Sequence, residues 1–377
     1  MKQIPFHKAY ITGKEQTYIQ QVLESKKVAG GGRFTIQCHE FLKKRFAFPE
    51  VFLTSSCTDA LEMSALLLDI KEGDEVILPA YTFVSTANAF LLRGAKVRFC
   101  DSKPDHPNID LEQAEMLINK RTKAIVLVHY GGFACDMDKA LEISQQYSLE
   151  LIEDAAHAIQ AYYKGKSVGS FGKLATLSFH ETKNIISGEG GALVVNNPQW
   201  VERAKVLREK GTNKTDFLAK KVSHYEWVDI GSSYLPSEIT AAFLWAQLEG
   251  LEAIQQQRHI LWERYYQALK PLAEAGKIEL PKVTADFQHN ASLFYLVCNS
   301  ATERRDLIAF LKERGVESTF HYIALHQTRY YTQHYASLAL PNAEKYSQQL
   351  LRLPFYTELT EAEVEYISEL VIEFYER

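Results

Sequence analysis

The chain has no uninterrupted apolar run of the ~18 residues that a bilayer span requires. No apolar signal-peptide core follows Met1-Lys2-Gln3-Ile4-Pro5-Phe6-His7 either. These two absences make the cytoplasm the expected location and a membrane an unexpected partner. Cysteine is scarce: Cys38, Cys57, Cys100, Cys135 and Cys298 are the five among 377 residues, and no two form a CxxC pair. An odd number at irregular spacing argues against a disulfide framework and against a structural zinc site. The thiols read as small hydrophobes, and no metal is expected. An excess of one charge sign is also missing. Lys and Arg total 42 against 47 Asp and Glu, a net charge of −5, so there is no basic field to draw nucleic acid. An anionic substrate would have to be held by local groups. Internal repeats and low-complexity segments are absent as well.

What is present is the composition of a globular protein, 46% hydrophobic and 24% charged. The length exceeds one ordinary core and predicts a large and a smaller domain. Thr12-Gly13-Lys14-Glu15 has the spacing of a capping box, predicting a helix to about Lys26. Gly30-Gly31-Gly32 breaks the chain before a second helix over 35–46. From Val51 strand and helix patterns alternate: strands at 51–54, 75–78, 96–99, 124–128 and 149–152, with helices over 57–68, 82–92 and 136–147. That rhythm predicts parallel strands joined by crossover helices, with ligands at the carboxyl ends of the strands. Two further strands, 174–179 and 192–196, flank a loop. Pro236 opens a helix pattern running to Leu269. Strands at 293–297 and 316–320, a helix over 302–314 and a last helix opened by Thr360-Glu361-Ala362-Glu363 make a small α+β unit. The expected division is 1–250 and 251–377.

Three segments have the residue types of a reactive site. Ser55-Ser56-Cys57-Thr58 sits between a strand and a helix, where free amides and the helix dipole suit an anion such as phosphate; helix capping by Ser56 is the plainer account. Asp154, in Glu153-Asp154-Ala155-Ala156-His157, ends an apolar strand where a carboxylate can hold a pyridine nitrogen protonated; a cap or an ion-pair partner explains it equally. Lys183, in Ser178-Phe179-His180-Glu181-Thr182-Lys183-Asn184, precedes Gly188-Glu189-Gly190-Gly191. An imine-forming lysine needs such a fixed loop and an amine reachable in neutral form, although most lysines are solvated surface groups. His180-Glu181 begins like a zinc-protease HExxH, but Asn184 stands where the second His is required.

In this order, and together with Gly73-Asp74-Glu75-Val76-Ile77 and Tyr81-Thr82-Phe83-Val84-Ser85-Thr86-Ala87-Asn88, these segments resemble the DegT/DnrJ/EryC1/StrS sugar aminotransferases. The resemblance runs from Ile4-Pro5-Phe6 almost to the C-terminus. It implies an α/β fold of the aspartate-aminotransferase-like, fold type I, PLP-dependent kind, with a large, mixed, mostly parallel sheet domain and a small C-terminal α+β domain. The implied cofactor is pyridoxal 5'-phosphate (PLP). Lys183 would be its Schiff-base lysine and proton shuttle, and Asp154 the partner of its pyridine nitrogen. His157 would lie by the ring hydroxyl and Phe83 would stack on the ring. Ser56, Cys57, Thr58 and Ser178 would hold the phosphate. Ser233 stands where many relatives have an Asn that reaches the neighbouring subunit's phosphate, which implies a homodimer with shared active sites.

Leu66-Leu67-Leu68-Asp69-Ile70, Glu209-Lys210-Gly211-Thr212-Asn213, Asp229-Ile230-Gly231-Ser232-Ser233-Tyr234-Leu235 and Phe320-His321-Tyr322-Ile323 are similar to the branch that aminates dTDP-4-keto-6-deoxyglucose with L-glutamate. That similarity implies dTDP-4-amino-4,6-dideoxygalactose as product, destined for surface polysaccharide. Lys210, Asn213, His321, Tyr322 and His326 are candidate sugar contacts, with packing or solvation as the alternative for each. The chain departs from the family at Ser233 and at Ala324, which replaces a usual Pro near the sugar. Lys183 excludes the family's dehydratases, which carry His there. A nucleotide-sugar aminotransferase giving the opposite C4 epimer, or acting at C3, and a PLP-binding regulator without turnover remain the rival readings.

Overall fold

The computed structural model describes residues 3–377. Met1 and Lys2, part of the segment read above for a leader, lie outside the described residues. The apolar runs become a seven-stranded sheet. Its order is Val51–Thr54, Gly191–Val195, Leu174–Ser178, Glu150–Asp154, Thr122–Val128, Glu75–Pro79, Lys96–Cys100. Five neighbouring strands from Leu174–Ser178 to Lys96–Cys100 run parallel, while Gly191–Val195 is antiparallel to both of its neighbours. The mixed, mostly parallel sheet implied by the sequence is therefore present. Its central strands carry apolar side chains on both faces because helices cover both. Leu174–Ser178 and Gly191–Val195 are buried at every position.

Val51–Thr54 shares the direction of the five parallel strands, so the carboxyl ends of six strands lie on one edge. The chain leaves that edge at Ser55, Ala80, Asp101, His129, Ala155 and Phe179. Crossover helices Cys57–Leu67, Val84–Leu91 and Met137–Tyr147 return it to the other edge, so each strand-to-helix turn contributes residues to a common rim.

Two expectations for the second half are corrected. The helix pattern from Pro236 to Leu269 is two helices, Glu238–Glu249 and Leu251–Glu274, separated at Gly250. Ser237 rather than Pro236 caps the first, its side chain accepting from the Thr240 amide. The expected strand 316–320 is reduced to two isolated bridges, Ile4 with Val316 and Thr319 with Arg352. The small sheet consists instead of Ile278–Glu279, Tyr295–Cys298 and Leu350–Arg352. The final helix, Glu361–Glu376, has the predicted capping box of Thr360 and Glu363. The capping box expected at the N-terminal helix, Glu15–Ser25, is only half formed: the Glu15 carboxylate accepts from the Thr12 amide at 2.9 Å and the Thr12 hydroxyl at 3.0 Å, but Lys14 is the N-cap and the Thr12 oxygen accepts from the Lys14 amide at 3.3 Å.

Glu238 is a buried carboxylate with a structural task. It accepts from the amides of Gly32 (2.9 Å), Phe34 (2.9 Å) and Thr35 (3.1 Å), and from the Thr35 hydroxyl. It thereby caps the helix Arg33–Phe46 from 203 to 206 residues away in sequence. Glu238→Ala strands those buried donors and is expected to cost on the order of 3–5 kcal/mol, at ~1–3 kcal/mol per unsatisfied group. Urea unfolding of the variant measures that cost, and a loss below about 1 kcal/mol would contradict the capping role.

Candidate active site

On the carboxyl edge of the sheet lies a cavity of about 480 Å³. Its first wall is the turn after Val51–Thr54. Ser56 is extended (φ −156°, ψ 165°) and its hydroxyl accepts from the Asp59 amide at 3.0 Å. The capping account of Ser56 is thus correct, and it leaves the amides of Cys57 and Thr58 without intrahelical partners. The strand Gly191–Val195 presses on this helix start. A Cβ on Gly191 would stand 2.4 Å from the Cys57 amide nitrogen, and one on Gly190 would stand 2.2 Å from the Ser187 hydroxyl. Glycine at 191 lets the strand pack directly on the positive helix end, and glycine at 190 lets the loop close on Ser187. Ser178, at the end of the neighbouring strand, lines the cavity as well.

The floor is Asp154. Its carboxylate accepts from the Thr86 hydroxyl at 2.7 Å and from the Ala156 amide at 3.2 Å. Burial raises its pKa above the usual carboxylate range, because a desolvated charge is costly. Among the described residues Asp154 has no ion-pair partner, and the charges of Lys183 and His129 offset its burial only in part. A protonated ring nitrogen in the cavity would add to that compensation.

Opposite stands Lys183. Its loop is held shut by the amides of Phe179, Glu181 and Ser187 donating to Gly190 O (2.8 Å), Gly188 O (2.8 Å) and Phe179 O (2.7 Å). Asn184 ties the loop down by donating to Gln255 Oε1 and Asn290 O, both at 2.7 Å. The Lys183 ammonium has no ion pair among the described residues. Burial, assisted by the Arg352 charge, lowers its pKa to about 8. His157 completes the ring of polar groups. Its Nδ1 accepts from the Gly131 amide at 3.2 Å, and burial holds its pKa well below the ordinary value. The hydrogen-bond pattern therefore assigns a neutral ring whose Nε2–H is free to donate. Phe83, 55% exposed as a residue, lines the cavity with its ring centroid 6.0 Å from that of Tyr322.

These placements bring Ser56, Cys57, Thr58, Phe83, Asp154, His157, Ser178, Lys183, His321 and Tyr322 into one cavity. The other expected residues do not line it. Asn213 is buried, donating to His224 O at 3.0 Å and accepting from the Glu226 amide at 2.9 Å, which pins its own loop. Lys210 and Ser233 are exposed. His326 is buried against Glu344 at 3.1 Å.

Sequence reasoning missed three contributors. Thr86 orients Asp154, a role hidden inside a motif read as a whole. His129 lines the cavity and faces Glu153 at 3.2 Å, whose carboxylate also gathers the amides of Gly169, Phe171 and Gly172. Arg352 enters from the small sheet. Its signal was a lone cation inside the apolar run Leu350-Leu351-Arg352-Leu353. A second cavity, about 300 Å³ among Val84, Leu91, Phe99, Tyr330 and Tyr335, holds no titratable pair of use to catalysis.

A model of the DegT/DnrJ/EryC1/StrS aminotransferase family matches residues 9–372. The GDP-perosamine synthase of Escherichia coli O157:H7 is 31% identical over 376 residues, 100% of this chain and 99% of the relative. The PLP form of Spr1654 from Streptococcus pneumoniae superposes with a TM-score of 0.91 at 25% identity, covering 100% of this chain and 99% of that one. PseC of Helicobacter pylori, an aminotransferase involved in the biosynthesis of pseudoaminic acid, superposes at 0.89 with 27% identity over 100% of both chains.

Proposed function

The chain belongs to the DegT/DnrJ/EryC1/StrS aminotransferase family, and from that premise we propose that it uses PLP to aminate dTDP-4-keto-6-deoxy-D-glucose. The amine comes from L-glutamate, and the product is dTDP-4-amino-4,6-dideoxy-D-galactose for surface polysaccharide. The observation that carries the chemistry is a lysine amine of lowered pKa, without an ion pair, facing the same cavity as a buried carboxylate of raised pKa. The substrate rests on the subgroup segments and on a relative named for a nucleotide-linked sugar.

The residues present fit the cofactor. The amides of Cys57 and Thr58, with the hydroxyls of Ser56 and Ser178, would take its phosphate. Asp154 would hold a proton on its ring nitrogen, His157 Nε2–H would donate to its ring oxygen, and Phe83 would cover its face. When bound, PLP supplies an aldehyde for the amine and an electron-withdrawing ring. Lys183 would hold it, and the Lys183 amine, when free, would take the proton from the donor's Cα. In the second half of the cycle the same amine delivers a proton to C4 of the sugar, and the face of delivery fixes the epimer.

Lys183 is useful as a nucleophile only when neutral. Below its pKa of about 8, each pH unit removes about nine-tenths of the neutral amine. Loading of the PLP-free protein is therefore expected to quicken roughly tenfold per unit as pH rises toward 8, then level off. A pH-independent loading rate between pH 6 and 8, followed at the visible band, would contradict the shift.

We further propose a division at about residue 250, with 1–250 holding the cofactor and 251–377 closing the cavity through His321, Tyr322 and Arg352. A homodimer with shared sites is supported by exposed apolar side chains in the Ser233-bearing region, among them Trp227 (78% exposed) and Leu218 (69%). The surface of a single chain rarely leaves such groups clustered in water. The cytoplasm is the proposed location, in keeping with five free thiols.

Mixing the protein with L-glutamate and dTDP-4-keto-6-deoxyglucose tests the substrate. NMR of the product should show an axial C4 amine; an equatorial amine would assign the opposite epimer. No product, with glutamate still consumed in a half-reaction, would reject this sugar.

A further inference from the structure

A lysine that moves a proton needs its amine held in one place, so whatever fixes the Lys183 loop bears on the rate. Residues 179–190 bond to one another as described above. Among the described residues, two hydrogen-bonded ties reach this loop from outside. One is Asn184, whose side chain donates to Gln255 Oε1 and Asn290 O. The other is His7, whose Nε2 lies 2.8 Å from the Glu181 carbonyl oxygen. A carbonyl only accepts, so the proton of the pair belongs to Nε2. Burial lowers the His7 pKa, which favours the neutral ring with that single proton. Lys183 stands between the two tied residues, two positions after Glu181 and one before Asn184.

The donor is itself anchored. The Ile4 amide donates to Gly315 O at 2.8 Å, and the Ile4 carbonyl accepts from the Glu317 amide at 3.0 Å. The Phe6 amide donates to Glu317 Oε2 at 3.2 Å, and the Phe6 ring lies 5.1 Å from the Arg352 guanidinium. Lys8 pairs with Glu358 at 2.9 Å. Residues 4–8 are therefore laid along the C-terminal part of the chain, and His7 is the member of that segment that bonds to the Lys183 loop. The tie ends on the Glu181 main chain, 174 positions away in sequence. It acts on where the loop sits and leaves the Glu181 charge out of account.

We propose that His7 is a positioning residue for Lys183, its Nε2–H holding the Glu181 carbonyl so that the loop presents the amine to the cavity in one orientation. This rests on the aminotransferase reading above, in which the Lys183 amine takes the donor's Cα proton. His7 does not line the cavity, so it acts through the loop and not on the reacting atoms. A misplacement of about 1 Å at a reacting group can cost about 10²-fold. Losing one tie of two, with Asn184 still in place, should cost less, about tenfold.

The test compares His7→Phe, which keeps a ring and removes the donor, with His7→Gln, whose side-chain NH₂ can stand where Nε2 does. Hydrogen exchange of the PLP-free proteins gives a readout that needs no turnover. In His7→Phe the amides of Glu181 and Ser187 should exchange about fivefold faster, the scale of one net hydrogen bond. Those of the distant strand Glu75–Pro79 should not change. In the PLP-loaded proteins, single turnover with L-glutamate is followed at the visible band. His7→Phe should lower its limiting rate about tenfold and raise the isotope effect with α-deuterated glutamate, while the half-saturating concentration moves less than about threefold. His7→Gln should return exchange, rate and isotope effect to within about twofold of the parent. Unchanged loop exchange in His7→Phe would overturn the proposal, whatever the rate. A His7→Gln that behaves like His7→Phe would overturn it too, and so would faster exchange spread through the chain with an unmoved isotope effect, the mark of a merely structural residue. If glutamate leaves the visible band of the unaltered protein unchanged, the aminotransferase reading fails, and the exchange comparison still decides the tie. If His7→Phe fails to fold, His7→Ala takes its place in the same comparisons.

Discussion

Lys183→Ala is expected to abolish amine transfer, by about 10⁴-fold or more, while the chain stays folded and still takes up PLP. The magnitude follows from the two tasks given to one amine. It is the covalent attachment point, and it moves the proton at Cα and at C4, where a positioned acid–base group alone supplies about 10²–10⁴. The stability side is argued from the site. The Lys183 ammonium has no ion pair among the described residues, and its attraction to Asp154 does not overcome the cost of its burial. Its pKa in the fold, about 8, lies below the ordinary lysine value. The charged form is therefore the one the fold disfavours, and that cost is present below about pH 8 and relieved above it. At pH 7 the variant's melting temperature should match or exceed that of the parent. The measurement pairs steady-state turnover with a thermal melt. Turnover within tenfold of the parent would remove Lys183 from the chemistry; a collapsed melt would make it a structural residue.

Asp154→Asn carries the second largest expected effect, a fall in turnover of about 10²–10³-fold, the scale of losing one preorganised electrostatic partner in a water-poor site. The substitution is nearly isosteric and the local hydrogen bonds can adapt. Its oxygen can accept from the Ala156 amide, its NH₂ can donate to Thr86, and the Thr86 hydroxyl can turn its proton to the Thr82 hydroxyl at 2.9 Å. Burial raises the Asp154 pKa, so the PLP-free fold is penalised increasingly as pH rises through that pKa. Above it the PLP-free variant should melt no lower than the PLP-free parent. With PLP bound the order should reverse, because only the carboxylate offsets a protonated ring nitrogen. Equal stabilisation of both proteins by PLP would show that Asp154 does not meet that nitrogen. Such opposition between stability and activity is what a functional charge in a dry site entails.

Much of this was legible in the sequence for a physical reason. The sheet strands are buried on both faces, so Ala124-Ile125-Val126-Leu127-Val128 and Leu174-Ala175-Thr176-Leu177 are nearly continuous apolar runs. A polar residue ending such a run, Asp154 or Ser178, marks the ligand edge. Lys183 was readable because the fixed loop that holds it needs Gly190 and Gly191.

What was not legible depended on distant packing. Nothing local announces that Gly191–Val195 inserts antiparallel between two strands. The break at Gly250 was overrun because one glycine costs a helix only about 1 kcal/mol against alanine, and the apolar pattern continues on either side. Val316–Phe320 has strand composition, yet only single bridges to Ile4 and Arg352 form. Arg352 itself lies 169 positions beyond Lys183 in the chain, on a three-residue strand. Only the fold of the small sheet brings it to the cavity that Lys183 also lines. Asn213 shows the reverse case, a polar residue in a family-like motif whose side chain is fully used by its own loop.

The most direct test of the central claim, amine transfer through the Lys183–Asp154 cavity to a 4-keto sugar, is a pair of half-reactions on one sample. The PLP-loaded protein is treated with L-glutamate, freed of it, and then given dTDP-4-keto-6-deoxyglucose while the visible spectrum is recorded. The account predicts loss of the Lys183-bound cofactor band with glutamate and its return with the sugar, in step with formation of an amino sugar. A band that glutamate leaves unchanged, in protein shown to carry PLP on Lys183, would contradict it.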